Sequence, residues 1–269
     1  MSRYEKMFFE LAQKNQGAFI PFVMLYDPDR AQCKKIIKTL IESGADALEL
    51  GIAFSDPLAD GPTIQKAGLR ALHSRATVHE SLDLVQEIRQ EYPSVPIGIL
   101  TYANLIFKNS LDWFYAHARD CGVDSVLVAD VPILEIKPFY EAAIKHGVDP
   151  VLVAPINMPH ERLKDVEHYG RGYTYVVTRE GVTGADEKIN FHHKDFLRAL
   201  KNAGAPPAIF GFGISSPEHV SQALKQGAQG VISGSKIVSL IEGNLNSPEH
   251  MLDELALFVK AMKAATKLA

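Results

Sequence analysis

Cysteine is scarce in this chain: two occur in 269 residues, Cys33 and Cys121. Each falls in a segment with helical spacing. Neither a disulfide framework nor a metal-type cysteine spacing can be built from them, which suits a reducing compartment. No apolar run approaches the ~20 residues that cross a bilayer, so no membrane span is expected. The opening stretch MSRYEKMFFELAQKNQ mixes charges with apolar residues at helical spacing and lacks the uninterrupted apolar run of a signal peptide, so the expected location is the cytoplasm. Charge of one sign is also missing. Lys and Arg number 28 against 32 Asp and Glu, a formal net charge of −4, which argues against nucleic acid or an anionic membrane as partner. Among motifs, H-E-x-x-H, the G-x-S-x-G elbow, the Walker loop and a dinucleotide fingerprint after the first strand are all absent. His192 and His193 are adjacent and would point apart on a regular helix, so no metal site is expected from the ten histidines.

What is present is alternation. Short apolar, β-branched runs lie at 18–25, 47–52, 96–102, 125–131, 149–156, 173–179, 207–214 and 230–236. Between them run amphipathic stretches such as DRAQCKKIIKTLIESG, TVHESLDLVQEIRQEY and SPEHVSQALKQG, and Gly44, Gly122, Gly147 and Gly227 stand where such helices would stop. Eight strands and eight helices in strict alternation predict an α/β fold: a single (β/α)8 TIM barrel over residues 1–269, with an extra N-terminal helix across its bottom and a short extra helix after strand 8. An open doubly wound sheet is the alternative, because strand count alone does not prove closure.

In such barrels the site is built from the C-terminal strand ends and the loops that follow. The stretch ALELGIAFSDPLADGPTIQ, residues 47–65, places Glu49 inside strand 2 and Asp56 and Asp60 in the loop beyond. With side chains alternating at period two, Leu48, Leu50 and Ile52 share one face and Ala47, Glu49 and Gly51 the other. The aliphatic face suits the helix layer, so Glu49 is expected to point inward between two small residues. Partial desolvation there would raise its pKa toward neutrality and fit it for proton transfer. A structural ion pair is the competing account, but no strand carries an internal Lys or Arg; Arg179 and Lys236 stand at strand ends. For Asp56 and Asp60, ordinary turn and cap chemistry is an equally good explanation.

Glycine-bearing turns follow late in the chain. GFGISSPEH (211–219) and SGSKIV (233–238) come directly after strands 7 and 8, where barrels bind phosphate through backbone N–H groups. Gly213, Gly234 and Ser235 would let those amides approach an anion, unless the glycines serve only to turn the chain. The stretch TREGVTGADEKINFHH is long for such a loop and reads as a lid or as an ordinary surface loop. Phe22, Leu100, Leu127, Tyr175 and Ile232 are inward candidates that would line an apolar cavity or simply fill the core. With the clamp and Glu49, they suggest a ligand with a flat apolar body and a phosphate tail.

The motifs LELGIAFSDPLADGPTIQKA, YANLIF, GVDSVLVADVP, YGRGYTYVVTREGVTG and GFGISSPEHV with GAQGVISGSKIV closely resemble the tryptophan synthase α subunit, and the resemblance covers essentially the whole chain. It implies a (β/α)8 barrel that cleaves indole-3-glycerol phosphate to indole and glyceraldehyde 3-phosphate. It also implies an α2β2 partnership with a β subunit that carries pyridoxal phosphate, this chain needing no cofactor of its own. By the same resemblance Glu49 is the general acid/base and Asp60 the second catalytic carboxylate. Phe22, Leu100, Leu127, Tyr175 and Phe212 would surround the indole, and Gly184, Gly213, Gly234 and Ser235 would hold the phosphate. Thr183 and Arg179 would belong to the lid, and Asp56 to the partner interface. Three positions depart from the family pattern: Met24 and Tyr26 stand where Thr and Gly are common after strand 1, and Ala53 replaces a usual Pro. The first two are expected to reshape the pocket lip near Phe22, the third to loosen the Asp56–Asp60 loop. Two other functions remain open on the residues: a β-subunit partner with relaxed catalysis, and another phosphate-binding barrel enzyme such as an indole-glycerol-phosphate synthase. The latter would favour a lysine acid in the pocket that the early strands lack.

Overall fold

The computed structural model of the chain describes residues 1–177 and 193–268. An N-terminal helix α1 (Arg3–Gln13) precedes β1 (Ala18–Met24), α2 (Arg30–Glu42) and β2 (Leu48–Gly51). Two helices follow, α3 (Pro62–His73) and α4 (Val78–Glu91), then β3 (Ile97–Thr101) and another pair, α5 (Ala103–Phe107) and α6 (Leu111–Asp120). Single helices then alternate with strands: β4 (Ser125–Val128), α7 (Lys137–His146), β5 (Asp149–Pro155), α8 (Leu163–Tyr169), β6 (Thr174–Val177), α9 (Lys194–Asn202), β7 (Ala208–Gly211), α10 (Pro217–Lys225) and β8 (Gly230–Ser233). The chain ends with α11 (Ser235–Gly243) and α12 (Pro248–Ala264). All eight strands are parallel and close in sequence order, β8 pairing back onto β1. The open-sheet alternative is thereby excluded. Strict one-to-one alternation is corrected: the crossovers after β2 and β3 each break into two helices. The expected short extra helix after strand 8 is α11, ahead of α12.

Local sequence accounts for the breaks. Ser74 caps the end of α3, Arg75 takes a left-handed φ of 64°, and Thr77 accepts from the Glu80 N–H to start α4. Gly147 ends α7 in the left-handed region at φ 69°, where a side chain would be strained. The outward faces of the strands meet the helices. Leu48 and Leu50 are buried against that layer, as are Ile36, Ile37 and Leu40 of α2. Each such side chain contributes roughly 1.5–3 kcal/mol by leaving water.

The expected extra helix is present and plugs the barrel floor. Helix α1 starts with a capping box between Ser2 and Glu5. Its Tyr4 reaches beneath the strands, with its hydroxyl 2.9 Å from Ser125 Oγ and its ring 5.5 Å from that of Tyr173. Arg3 and Arg89 both donate to Asp124 at this end, which fastens α1 and α4 to β4's leading edge. Helix α1 thus covers the floor, and the cavity opens at the C-terminal end.

Candidate active site

Strand β2 delivers Glu49 inward, as period two requires. Its backbone is in register with Phe22 on one side and Gly98 on the other. Gly51, next on the same face, leaves space that Phe22 uses: a Cβ there would lie 2.8 Å from Phe22 Cζ. Glu49 is 2% exposed, and the Tyr173 hydroxyl donates to its Oε1 at 2.9 Å. Burial pushes its carboxyl up to about 7, with the Tyr173 hydrogen bond opposing the rise. Among the described residues no cation pairs with it, so the ion-pair account of this glutamate is not supported.

Asp60 closes the other side. It is buried at the end of the β2–α3 loop, hydrogen-bonded to the Tyr102 side chain, and pushed up to about 6 by burial. The loop around it is tied down: the Ala59 N–H donates to Tyr102 Oη at 3.2 Å, and Gln65 Nε2 donates to the Asp60 carbonyl at 2.8 Å.

Both carboxylates face one open-mouthed cavity. Phe22, Leu100, Tyr175, Ile232 and Phe212 supply its apolar wall, joined by Ile64 of α3 and Ile214. Tyr175 fits because β7 ends in glycine; a Cβ on Gly211 would fall 2.0 Å from the tyrosine ring. Phe212 takes a left-handed φ of 67° and meets Tyr175 edge to face at 6.1 Å. Leu127 packs beside Leu100 in register and is 3% exposed; it is not among the described residues that line the cavity.

Across the cavity, Gly213, Ser215, Gly234, Ser235 and Lys236 form a polar rim. Helix α11 begins there with Gly234 as its N-cap and no side-chain cap, so its first-turn amides keep their donor capacity for a ligand. Gly213 has φ 74°, and Ser233 Oγ donates to the Ile214 carbonyl at 2.6 Å, tying the β7 and β8 ends together. Lys236 adds a cation that the resemblance did not single out. Sequence reasoning also missed Tyr173, Tyr102, Ile64, Ile214 and Ser215. Two of these carried a signal: Tyr173 and Tyr102 stand two residues from Tyr175 and Leu100, on the same inward faces.

Asp56 lies apart from the cavity, exposed on the rim, where Ser55 donates to it. Met24 and Tyr26, expected near the pocket lip, are buried but do not line the cavity. Tyr26 holds a left-handed φ of 70°, a conformation that suits glycine, while Arg30 donates to its hydroxyl at 3.1 Å. Arg179, Thr183, Gly184 and the remainder of the expected lid lie outside the described residues, except His193, which is buried at the start of α9.

A closed parallel barrel with two desolvated carboxylates inside its C-terminal mouth is the architecture of a barrel enzyme. Comparison with known sequences narrows this to one family. The sequence model of the tryptophan synthase alpha chain matches residues 8–267, and the chain belongs to that family. A tryptophan synthase alpha chain of Salmonella paratyphi C is 54% identical, across 99% of this chain and 100% of its own. The alpha subunit of tryptophan synthase from Legionella pneumophila superposes with a TM-score of 0.89 at 27% identity, covering 99% of this chain and 98% of that one. A chain of the tryptophan synthase a2b2 complex from Pyrococcus furiosus gives 0.83 at 38% identity, covering 92% and 98%.

Proposed function

We propose that this chain cleaves indole-3-glycerol phosphate to indole and glyceraldehyde 3-phosphate, with Glu49 and Asp60 as its catalytic groups. The carrying observation is a buried carboxyl that has no cationic partner among the described residues, placed across one cavity from an amide-rich rim. The substrate's phosphate sits on the rim of Gly213, Gly234 and Ser235, near the N-terminal end of α11 and Lys236. Its indole ring lies between Phe22, Leu100, Tyr175 and Phe212.

With its carboxyl near 7, Glu49 populates both protonation states around neutral pH. Protonated, it adds a proton to ring carbon 3, leaving the ring positively charged at nitrogen. As a carboxylate it then takes the proton of the hydroxyl on the adjoining chain carbon. The oxygen electrons form the aldehyde carbonyl, the carbon–carbon bond breaks, and its electrons restore the aromatic ring. Asp60 faces the ring N–H and stabilises the positive charge. Tyr173 occupies one oxygen of Glu49, which leaves the other for substrate.

Exposed apolar side chains on the C-terminal rim, with Asp56 among them, support docking of a β subunit in an α2β2 assembly. The β subunit then carries the pyridoxal phosphate and receives the indole. The chain works as one domain in the cytoplasm; among the described residues no helix is long and apolar enough to cross a membrane. Glu49→Gln is expected to cut turnover of indole-3-glycerol phosphate by about 10²–10⁴-fold, and Asp60→Asn by about 10²–10³-fold. Steady-state assay of the purified variants, alone and with β subunit, checks both. Wild-type turnover in Glu49→Gln would remove the proposed mechanism. Stimulation of the β subunit by a chain with no lyase activity of its own would favour a docking partner instead.

A further inference from the structure

Away from the cavity, on the outer helical layer, two helix-spaced pairs of ligand-type side chains face each other. Helix α4 presents His79 and Asp83, and α6 with its C-cap presents His117 and Cys121. His79 Nδ1 lies 3.0 Å from His117 Nε2, and the two ring planes are 15° apart. The other nitrogen of His79, Nε2, lies 3.7 Å from Asp83 Oδ2. Cys121 Sγ is 4.0 Å from the same His117 Nε2. Ligand-bearing atoms of His79, Asp83 and His117 all fall within 4.8 Å of one another.

We propose that His79, His117 and Cys121, with Asp83 orienting the His79 ring, bind a divalent transition-metal ion of the zinc class. The dimensions fit. Two imidazole nitrogens at ~2.0 Å from a tetrahedral ion stand about 3.3 Å apart, a few tenths beyond the observed separation. The ion lies off the line between the two nitrogens; the proton between the rings leaves to solvent, and each ring turns that nitrogen's lone pair toward the metal. Asp83 then accepts from the far N–H of His79, the carboxylate–histidine–metal arrangement that fixes a ligand's tautomer. Nitrogen and thiolate donors select borderline ions such as Zn²⁺ and Co²⁺ over Mg²⁺ or Ca²⁺. On binding, the Cys121 thiol gives its proton to solvent and its sulfur lone pair to the metal; a fourth position is left for water or Asp83.

Local electrostatics favour coordination by the imidazole and work against the thiolate. Burial and the neighbouring His79 hold His117 below the ordinary imidazole range, so it is neutral and able to coordinate at physiological pH. Burial, Asp83 and Asp120 push the Cys121 thiol up to about 11, an unfavourable pocket for a bare thiolate that a bound cation would reverse. The residues bridged lie 38 positions apart, so the ion would clip α4 to α6 around β3. Spacing rules on the sequence overlook the site because each helix supplies only one i,i+4 pair.

The chain's single tryptophan reports on it: the Trp113 ring is 4.9 Å from that of His117. The full chain is titrated with ZnCl₂ or CoCl₂ near neutral pH, following Trp113 fluorescence and, for cobalt, absorption. One saturable equivalent is expected, with a thiolate-to-cobalt charge-transfer band and a thermal midpoint raised by a few degrees in Zn²⁺. His79→Ala changes a side chain that is 62% exposed, so the fold survives; it should weaken binding by roughly tenfold or more. Cys121→Ser should lose the charge-transfer band, and His160→Ala should change nothing. No saturable binding up to roughly 1 mM metal would overturn the proposal. So would equal affinity in wild type and His79→Ala, or a charge-transfer band that persists in Cys121→Ser. Lyase activity enters none of these readouts, so the metal site stands or falls independently of the proposed reaction.

Discussion

Glu49 is held in a place that costs the fold stability. An isolated carboxyl near 4.5 is moved to about 7 chiefly by burial. The folded chain therefore holds this proton more tightly than the unfolded chain does. The stabilisation from that tighter hold is complete below about pH 4.5 and is lost as pH rises through about 7. Glu49→Gln keeps the shape and cannot ionise, so it should gain stability over wild type on the alkaline side. The gain is expected to be near zero at about pH 4.5 and to approach roughly 3 kcal/mol at about pH 8.5. Urea unfolding of both proteins across that range measures it; a difference that stays flat with pH would mean Glu49 is not desolvated. Asp60, pushed up to about 6, has the same sign of dependence over a narrower interval. A variant that is inactive yet more stable at high pH is the signature of a carboxyl kept for chemistry rather than for packing.

Helix α3 begins directly after Asp60, so whatever anchors it also positions that carboxylate. Arg70, near its end, donates to Asp27 through Nε at 2.6 Å and Nη2 at 2.9 Å. Asp27 follows β1 and its side chain is fully buried. Arg70→Ala would strand that carboxylate, and a loss of about 3–5 kcal/mol is expected in denaturant unfolding. A double variant with Leu at both positions should recover most of it, because an apolar pair leaves no unpaired charge. If the double variant is as unstable as the single one, the loss comes from packing and not from the abandoned charge. Elements of this kind also mark how far the sequence could be read. Glu49 was legible because period two gives a short strand only two faces, and three aliphatics claimed one of them. The strand ends and the glycine turns after β7 and β8 were legible from local chemistry. Tyr173 and Tyr102 stayed hidden as partners of Glu49 and Asp60 because a search for opposite charge overlooks a phenol. Their inward positions, two residues from Tyr175 and Leu100, held the only clue. The start of α4 was legible at Thr77, its N-cap, whereas α3 and α5, the added helices after β2 and β3, lie in segments that carried the expected site loop and the YANLIF stretch.

At the scale of the whole molecule, one stretch of the C-terminal rim carries exposed apolar side chains. The segments that follow three adjacent strands, β2, β3 and β4, carry Leu58, Phe107 and Leu134, which are 81%, 55% and 65% exposed. Asp56 lies on the first of these segments, beside Leu58. Scattered single leucines on a surface need no explanation, but three large exposed apolar side chains on the segments after adjacent strands, all at one end of the barrel, point to a covered face. The same end holds the cavity mouth, so a protein covering the patch would also sit over the exit for indole. That coincidence ties docking to delivery, since the product is apolar and is best passed on without crossing bulk solvent. Leu134 lies outside the cavity, on a turn after β4. Leu134→Glu should therefore leave the isolated chain's lyase rate unchanged while burying a charge in the complex. Apparent affinity for the β subunit, read from the chain concentration that half-saturates stimulation of β activity, should fall by about tenfold or more, the equivalent of ~1.4 kcal/mol. Leu257→Glu provides the comparison: this residue is equally exposed, at 63%, but lies on the last helix, α12, and should not alter that concentration. If the two variants behave alike, the rim patch is not the docking face, and transfer of indole must be sought on another side of the barrel.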